Sequence, residues 1–315
     1  RTLLNTRNMQ NIPSGSKYGK IVKTIFQAPN NWLFCGADFS SLEDKINALL
    51  TKDPNKLKVY IDGYDGHCLR AFSYFGDQMP DIINTVDSIN SIKKKYPNLR
   101  SDSKAPTFLL TYGGTKMGLQ TNCGFSPEQA ASIEANYHKL YQVSGEWTKA
   151  KITQASQDGY ATLAFGLRLR TPILKKCLMG TRVTPREAEQ EARSAGNAIS
   201  GQSYGLLNNR AALAFFRKVR AAGYANDILP VALIHDAIYI LVRDDVEILK
   251  WANDNLTHEM SWQELPEIQH DVIKLGAELD IFYPSWKESI TLPNHASTTE
   301  ILDIVDAALL EKETE

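Results

Sequence analysis

Trp32-Leu33-Phe34-Cys35-Gly36-Ala37-Asp38 follows the turn pair Asn30-Asn31, and its apolar and aromatic residues run unbroken until the carboxylate. This pattern predicts a short buried strand that Asp38 closes. Ser40-Ser41 supply an N-cap pair, and Leu42, Ile46, Leu49 and Leu50 then recur at helical spacing with Lys45 and Asn47 on the other side. Asp38 is therefore expected at a strand-to-helix junction. A second stretch, Pro230-Val-Ala-Leu-Ile-His235-Asp236-Ala-Ile-Tyr-Ile-Leu-Val242, is largely apolar and rich in β-branched residues around one polar pair. It reads as a buried hairpin with Asp236 at its bend.

Between these strands, from Tyr64 to about Gln157, the sequence turns helical and more polar, with helices expected near 67–76, 81–96, 102–112, 127–141 and 144–157. This reads as a helical insertion. Tyr160–Phe165 and Leu167–Pro172 read as a hairpin split by Gly166, followed by a long helical stretch over 185–222. A helix over 244–260 and a final strand near 269–277 complete a sheet-plus-helix layer, and the acidic tail from Asp303 reads as a solvated helix. The fold class expected is α+β, an antiparallel sheet with a helical insertion, and no internal repeat or low-complexity segment interrupts it.

With 315 residues, 43% hydrophobic and 23% charged, the composition suits one large or two moderate cores and argues against disorder. The formal net charge of −1 gives no global sign of a nucleic-acid partner, so any such assignment rests on local features. Cys35, Cys68, Cys123 and Cys177 form no CxxC pair, which fits four reduced thiols in a cytosol-like compartment. A cytoplasmic location, the host cytoplasm for a phage-encoded chain, is the expectation. No apolar stretch approaches the ~20 residues of a bilayer-crossing helix, so no membrane partner is expected. Arg1-Thr-Leu-Leu-Asn has no signal-peptide core, and a start at Arg rather than Met suggests a fragment or one half of a split protein.

Two carboxylates far apart in sequence, each beside an apolar strand, suit a site for two divalent cations about 3.5–4 Å apart. Asp38 and Asp236 fit, and oxygen ligands favour Mg²⁺, which keeps waters and takes further ligands from phosphates. On spacing alone, an Asp that caps a turn is the favoured reading of each. Arg100, Lys104, Phe108 and Tyr112 stand four apart, along one face if helical. Cations at a helix N-terminus followed by exposed rings would grip a triphosphate, then a sugar and base. A plain amphipathic helix explains the same spacing, and without further motifs it is preferred. Pro106 limits the stripe: either the helix starts near Asp102 or Ser103, leaving proline in its first turn, or it kinks and takes Arg100 off line. The first is favoured.

Several ordered motifs reverse those preferences. Asp38-Phe-Ser-Ser-Leu-Glu43, Lys104-Ala-Pro-Thr-Phe108-Leu-Leu-Thr-Tyr112-Gly, Leu233-Ile-His235-Asp236, Asn8-Met-Gln10-Asn11-Ile-Pro and Gly63-Tyr-Asp-Gly-His67 agree in order and separation with motifs of one family. The chain resembles the family A DNA polymerases, the bacterial DNA polymerase I family, and is most similar to their phage branch, from Arg1 to about Trp286. The resemblance implies a palm over 1–63 and 158–290, fingers over 64–157 and a C-terminal tail over 291–315. It implies Asp38 and Asp236 as catalytic ligands of two Mg²⁺ ions, with Mn²⁺ as an alternative. His67, Arg100 and Lys104 would meet the incoming phosphates, Phe108 and Tyr112 would line the nucleotide pocket, and Glu43 would exclude a 2′-hydroxyl. Arg1, Asn8, Gln10, Asn11, Gln202 and His235 would touch primer-template DNA, and deoxynucleotides would be the substrates.

Three departures qualify the match. Ala237 stands where the family has Glu after His-Asp, so activity is expected to survive with an altered metal preference. Asn197 and Gln202 are one residue further apart than the family's Asn-x-x-x-Gln, so Asn197 receives no role. A thumb and an exonuclease region are not seen before Arg1, so both are expected on a missing N-terminal part or a separate chain. Two rivals remain: a single-subunit RNA polymerase, against which Glu43 argues, and a non-catalytic DNA-binding polymerase subunit, against which Asp38, Asp236 and Lys104 argue. Phe108, lacking a hydroxyl, is expected to reject dideoxynucleotides.

Overall fold

The computed structural model describes residues 17–177 and 184–313. In chain order the elements are α1 (Lys17–Lys23), β1 (Trp32–Phe39), α2 (Leu42–Thr51), α3 (Pro54–Ile61), α4 (Gly66–Phe75), α5 (Val86–Lys95), α6 (Pro97–Asp102), α7 (Lys104–Thr111), α8 (Lys116–Cys123), α9 (Pro127–Leu140) and α10 (Gln142–Asp158). There follow β2 (Tyr160–Thr162), β3 (Arg168–Arg170), α11 (Arg186–Ser200), α12 (Leu206–Ala221), β4 (Ile228–Ile234), β5 (Ala237–Arg243), α13 (Val246–Met260), β6 (Ala277–Phe282), β7 (Ser289–Leu292) and α14 (Thr298–Glu313). This is the expected α+β class. The described residues pack as two units, one within 1–42, 205–263 and 274–315, the other within 43–204 and 264–273. These limits differ from the four sequence-based segments.

The first unit is built on an antiparallel sheet of order β4-β5-β1-β6-β7. Strand alternation gives its two faces different work. One face carries Cys35 and Ala37 of β1, Ile238, Ile240 and Val242 of β5, and Leu279 and Ile281 of β6, all buried. Helix α13 packs on β1, β5 and β6, while α12 packs on β4 and β5, so these side chains form a single core. The other face carries Phe34, Gly36 and Asp38, whose partners are Leu241, Tyr239 and Ala237 on β5 and Phe282, Asp280 and Glu278 on β6. Phe34, Tyr239, Phe282 and Trp286 close part of that face with ring centroids 5.0–6.4 Å apart. Glycine is required at 36, because a Cβ there would lie 2.8 Å from the Tyr239 ring and 2.9 Å from that of Phe282.

The second unit is mainly helical, with β2 and β3 paired as a small antiparallel sheet. Its largest cluster gathers Leu69, Tyr74 and Phe75 of α4 with Ile89, Ile92, Leu110, Leu119 and Ile133. Beneath it Arg70, 8% exposed, donates to both Asp44 carboxylate oxygens at 3.2 and 3.0 Å and to the Tyr141 hydroxyl at 2.9 Å. Lys56, 4% exposed, and the Tyr60 hydroxyl also reach Asp44, at 3.4 and 2.9 Å. Against the upward push of burial, these cations hold the Asp44 carboxyl far below the usual carboxylate range.

Several sequence expectations shift. The last strand is not at 269–277 but at Ala277–Phe282, because the apolar alternation runs on through Leu279 and Ile281 and pairing with β1 fixes which part is strand. Residues 291 and 292, expected in the tail, belong to β7, and α14 buries Ile301. Ser41 has φ 56 rather than the extended conformation of an N-cap. The stretch 102–112 is two helices, α6 and α7, meeting at Ser103. This places Pro106 in the first turn of α7, where its missing N–H breaks no helical bond. The helix expected over 185–222 breaks at Gly201. The unexpected helices α3 and α8 include one with a legible start, since Asp53 accepts from Asn55 N at 2.9 Å ahead of Pro54.

Replacing Arg70 by Met should lower stability by about 3 kcal/mol, because Asp44 and Tyr141 lose a shared donor where water cannot fully replace it. Urea unfolding of both proteins measures this, and a loss under about 1 kcal/mol would show that the buried ion network adds no net stability.

Candidate active site

The first set of side chains stands on the open sheet face. The register places Asp38 opposite Ala237, with Asp236 at the bend just before it, and Phe39 N donates to the Asp236 carbonyl at 3.4 Å. His235 enters that bend at φ 54, in the left-handed region. Asn208, 1% exposed on α12, donates to the carbonyls of His235 at 3.3 Å and Ala237 at 3.1 Å and so holds the bend. Asp280 lies on the same face, one oxygen receiving the Thr291 hydroxyl at 2.5 Å.

Partial desolvation, then the negative charges of Asp236 and Asp280, push the Asp38 carboxyl up to about 6. Asp38 is exposed, so the like charges are the cause that a bound cation would relieve directly. Among the described residues no three His, Cys, Asp or Glu side chains form a cage able to hold a metal alone. Asp38 and Asp236 therefore suit a cation that completes its shell with water and phosphate, as Mg²⁺ does.

The second set lies in the helical unit. Asp65 caps α4, accepting from His67 N at 2.9 Å and Cys68 N at 3.0 Å, and its other oxygen receives the Arg100 guanidinium at 2.8 Å. Arg100 stands on α6 and Lys104 opens α7, so the four-residue stripe is not one continuous helix. Burial, then the positive charges of Arg70, Arg100 and Lys104, lower the His67 pKa, so its ring stays neutral near pH 7. Its Nδ1 is buried with no hydrogen-bond partner among the described residues. A neutral imidazole among three cations is suited to receive an anion.

Phe108 is 57% exposed on α7, and Tyr112 caps the same helix at 37% exposure. Gly113, at φ 76, follows the cap and ends the helix. The Tyr112 hydroxyl donates to a Glu43 carboxylate oxygen at 2.5 Å. Gln202 is exposed in the turn after α11. Arg1, Asn8, Gln10 and Asn11 lie outside the described residues. Asn208 and Asp280 escaped sequence reasoning; Asn208 left one signal, a polar side chain at a helix position whose neighbours Leu207 and Ala211 are core.

Asp38 binds its proton more tightly in the native than in the unfolded chain, so the native state loses stability as pH rises from about 3.8 to about 6. Asp38→Asn should therefore melt above the parent protein at about pH 8 in metal-free buffer and converge with it near pH 4, while Mg²⁺ should raise the parent more than the variant. Thermal unfolding checks this, and coincident melting at both pH values would remove the like-charge account.

The model for "DNA polymerase family A" matches residues 1–283. DNA polymerase I of Pseudomonas aeruginosa is 25% identical over 239 residues, covering 76% of this chain and 24% of the relative. DNA polymerase I of Bacillus subtilis is 22% identical over 287 residues, 90% of this chain and 29% of the relative. This chain thus spans about a quarter of the length of these curated relatives. In structure it is similar to the POL domain of Pol1 from M. smegmatis, solved in complex with DNA primer-template and dNTP, with a TM-score of 0.69, 21% identity, and coverage of 90% of this chain and 45% of the other. With a family match running from the first residue through both carboxylate motifs, the chain belongs to DNA polymerase family A.

Proposed function

We propose that this chain performs template-directed nucleotidyl transfer from a deoxynucleoside triphosphate to a primer 3′-hydroxyl. The observation that carries the reading is the β1–β5 pairing, which gathers Asp38 and Asp236 at one end of an open sheet face with unrelieved negative charge. In this reading 1–63 and 158–290 act as palm, 64–157 as fingers and 291–315 as the tail. Asp38 and Asp236 hold two Mg²⁺ ions, with Mn²⁺ as the alternative. Bound there, the cations would activate the primer hydroxyl and offset the charge that develops on pyrophosphate.

The side chains do the positioning. Lys104, at the N-terminal turn of α7, and His67, at that of α4, meet triphosphate oxygens, drawn by the same cations that keep His67 neutral. Arg100 adds charge from its place on Asp65. Phe108 and Tyr112 offer their exposed rings to sugar and base, and Glu43 excludes a 2′-hydroxyl. Gln202 and His235 contact primer-template DNA, and Arg1, Asn8, Gln10 and Asn11 are assigned the same role from sequence alone. Base pairing selects the nucleotide, so affinity for DNA should depend on backbone contacts and fall with salt.

Primer extension with Mg²⁺ and deoxynucleotides tests this reading. The parent protein should extend, and Asp236→Ala should lower the rate at least about 100-fold. Failure of the parent to extend, with a thumb-bearing region supplied, would favour a non-catalytic DNA-binding subunit instead. Phe108→Tyr should raise dideoxynucleotide incorporation relative to deoxynucleotide about tenfold or more, through a new hydroxyl near the sugar 3′ position. Chain-termination assays read the ratio, and an unchanged value would remove Phe108 from the sugar pocket.

A further inference from the structure

We propose that the last turn of α11, through Gly201 and Asn197, positions the Glu43–Tyr112 pair and thereby sets the preference for deoxyribose over ribose. The inference rests on the reading of Glu43 as the group that excludes a 2′-hydroxyl.

Glu43 is held at both ends. Its carboxylate accepts the Tyr112 hydroxyl at 2.5 Å. Its stem faces Gly201, where an added Cβ would lie 3.1 Å from Glu43 Cγ and 3.3 Å from the Glu43 carbonyl oxygen. Gly201 is buried, caps α11 at φ 159 and ψ −33, and donates its N–H to the Asn197 carbonyl. The last turn of α11 therefore presses bare backbone against the residue that carries the gate.

The two helices cannot simply separate to admit a methyl group. Asn47 Nδ2, on the same helix as Glu43, donates to the Ser200 carbonyl at 2.8 Å, and Asn47 Oδ1 in turn receives the Ser144 hydroxyl at 3.0 Å. Thr148 and Ser200 hydroxyls add a bond of 3.3 Å to the same turn. With α2 and α11 tied together, the Glu43 side chain is the part left to move. Rotation of its Cγ away from residue 201 swings the carboxylate off Tyr112.

The same turn also reaches the other member of the pair. Asn197 Nδ2 donates to the Tyr112 carbonyl at 3.4 Å, at the point where α7 ends. Gly201 caps α11 four residues after Asn197, and its N–H bond to the Asn197 carbonyl keeps the two in one turn. One face of one turn thus touches both Tyr112 and Glu43. A carboxylate released from Tyr112 can turn aside, which opens room at the sugar 2′ position.

The test compares kcat/KM for a ribonucleotide and the matching deoxynucleotide opposite one template base in Gly201→Ala, Asn197→Ala, Tyr112→Phe and Glu43→Ala. Gly201→Ala and Asn197→Ala should each raise the ribo-to-deoxy ratio about tenfold, in the direction of Tyr112→Phe, a loss comparable to one misplaced polar contact. The dideoxy-to-deoxy ratio, read at the 3′ position by Phe108, should stay within about twofold, which a general loosening of the protein would not allow. If Glu43→Ala raises the ribo-to-deoxy ratio and neither α11 variant does, the inference is overturned while the gate stands. If Glu43→Ala leaves it unchanged, the gate reading itself falls, and this inference with it. Thermal melting accompanies each variant, and should Gly201→Ala fail to fold, Asn197→Ala decides.

Discussion

Strand β1 is hydrogen-bonded on both sides, to β5 and to β6, and this double pairing is the constraint on which the sheet unit depends. Because side chains alternate, the register that buries Cys35 and Ala37 also commits Phe34, Gly36 and Asp38 to the opposite face. A slip by one residue would exchange the two sets, putting a carboxylate in the core and an alanine at the site. Core packing against α12 and α13 thus fixes the position of Asp38 more firmly than any contact Asp38 makes itself. The same register brings Asp236 and Asp280 near it, and with partial burial, the larger cause, their charge raises the Asp38 pKa and opposes folding. The apolar face supplies the stability that the charged face gives up.

The parts of this arrangement that were legible in the sequence are those whose cause is local. An apolar run ending in Asp38, and another bent at His235-Asp236, announce strands with carboxylates at their ends without reference to anything distant. Pro106 likewise told where α7 must begin, since the missing N–H is a property of that residue alone. The expected strand at 269–277 shifted for the opposite reason. Leu275, Ala277, Leu279 and Ile281 alternate without interruption, and only the partners on β1 decide which of them form the ladder. Asp280 and Gly201 act through residues far away in the chain, so their neighbours in sequence carry no trace of the role, and Asn208 shows only as a polar residue among core neighbours. Asn197, left without a role because its spacing to Gln202 departs from the family pattern, reaches the Tyr112 carbonyl.

In the helical unit the buried Asp44–Arg70–Lys56 group links two positions proposed to meet the nucleotide. Arg70 is three residues beyond His67 on α4, and Asp44 follows Glu43 on α2. Arg70 Nη2, shared between both Asp44 oxygens, therefore holds α4 against the first turn of α2. A well-packed apolar replacement could match its stability, since buried ion pairs gain little net free energy. Apolar side chains would not impose the same directional geometry between the helices that carry His67 and Glu43.

Ala237 is consistent with this distribution of charge. It stands opposite Asp38 and is 5% exposed, so a glutamate there would exchange a buried methyl for a further carboxylate. Asp38 already has Asp236 and Asp280 for neighbours and is paired across β6 with Glu278. Each added like charge raises the free energy of the metal-free native state and makes the site bind cations more tightly, so the two effects trade against each other. In the proposed metal site, alanine would favour stability over tight cation binding. Ala237 thus stands across β1 from a strand that already carries two acidic residues, Glu278 and Asp280.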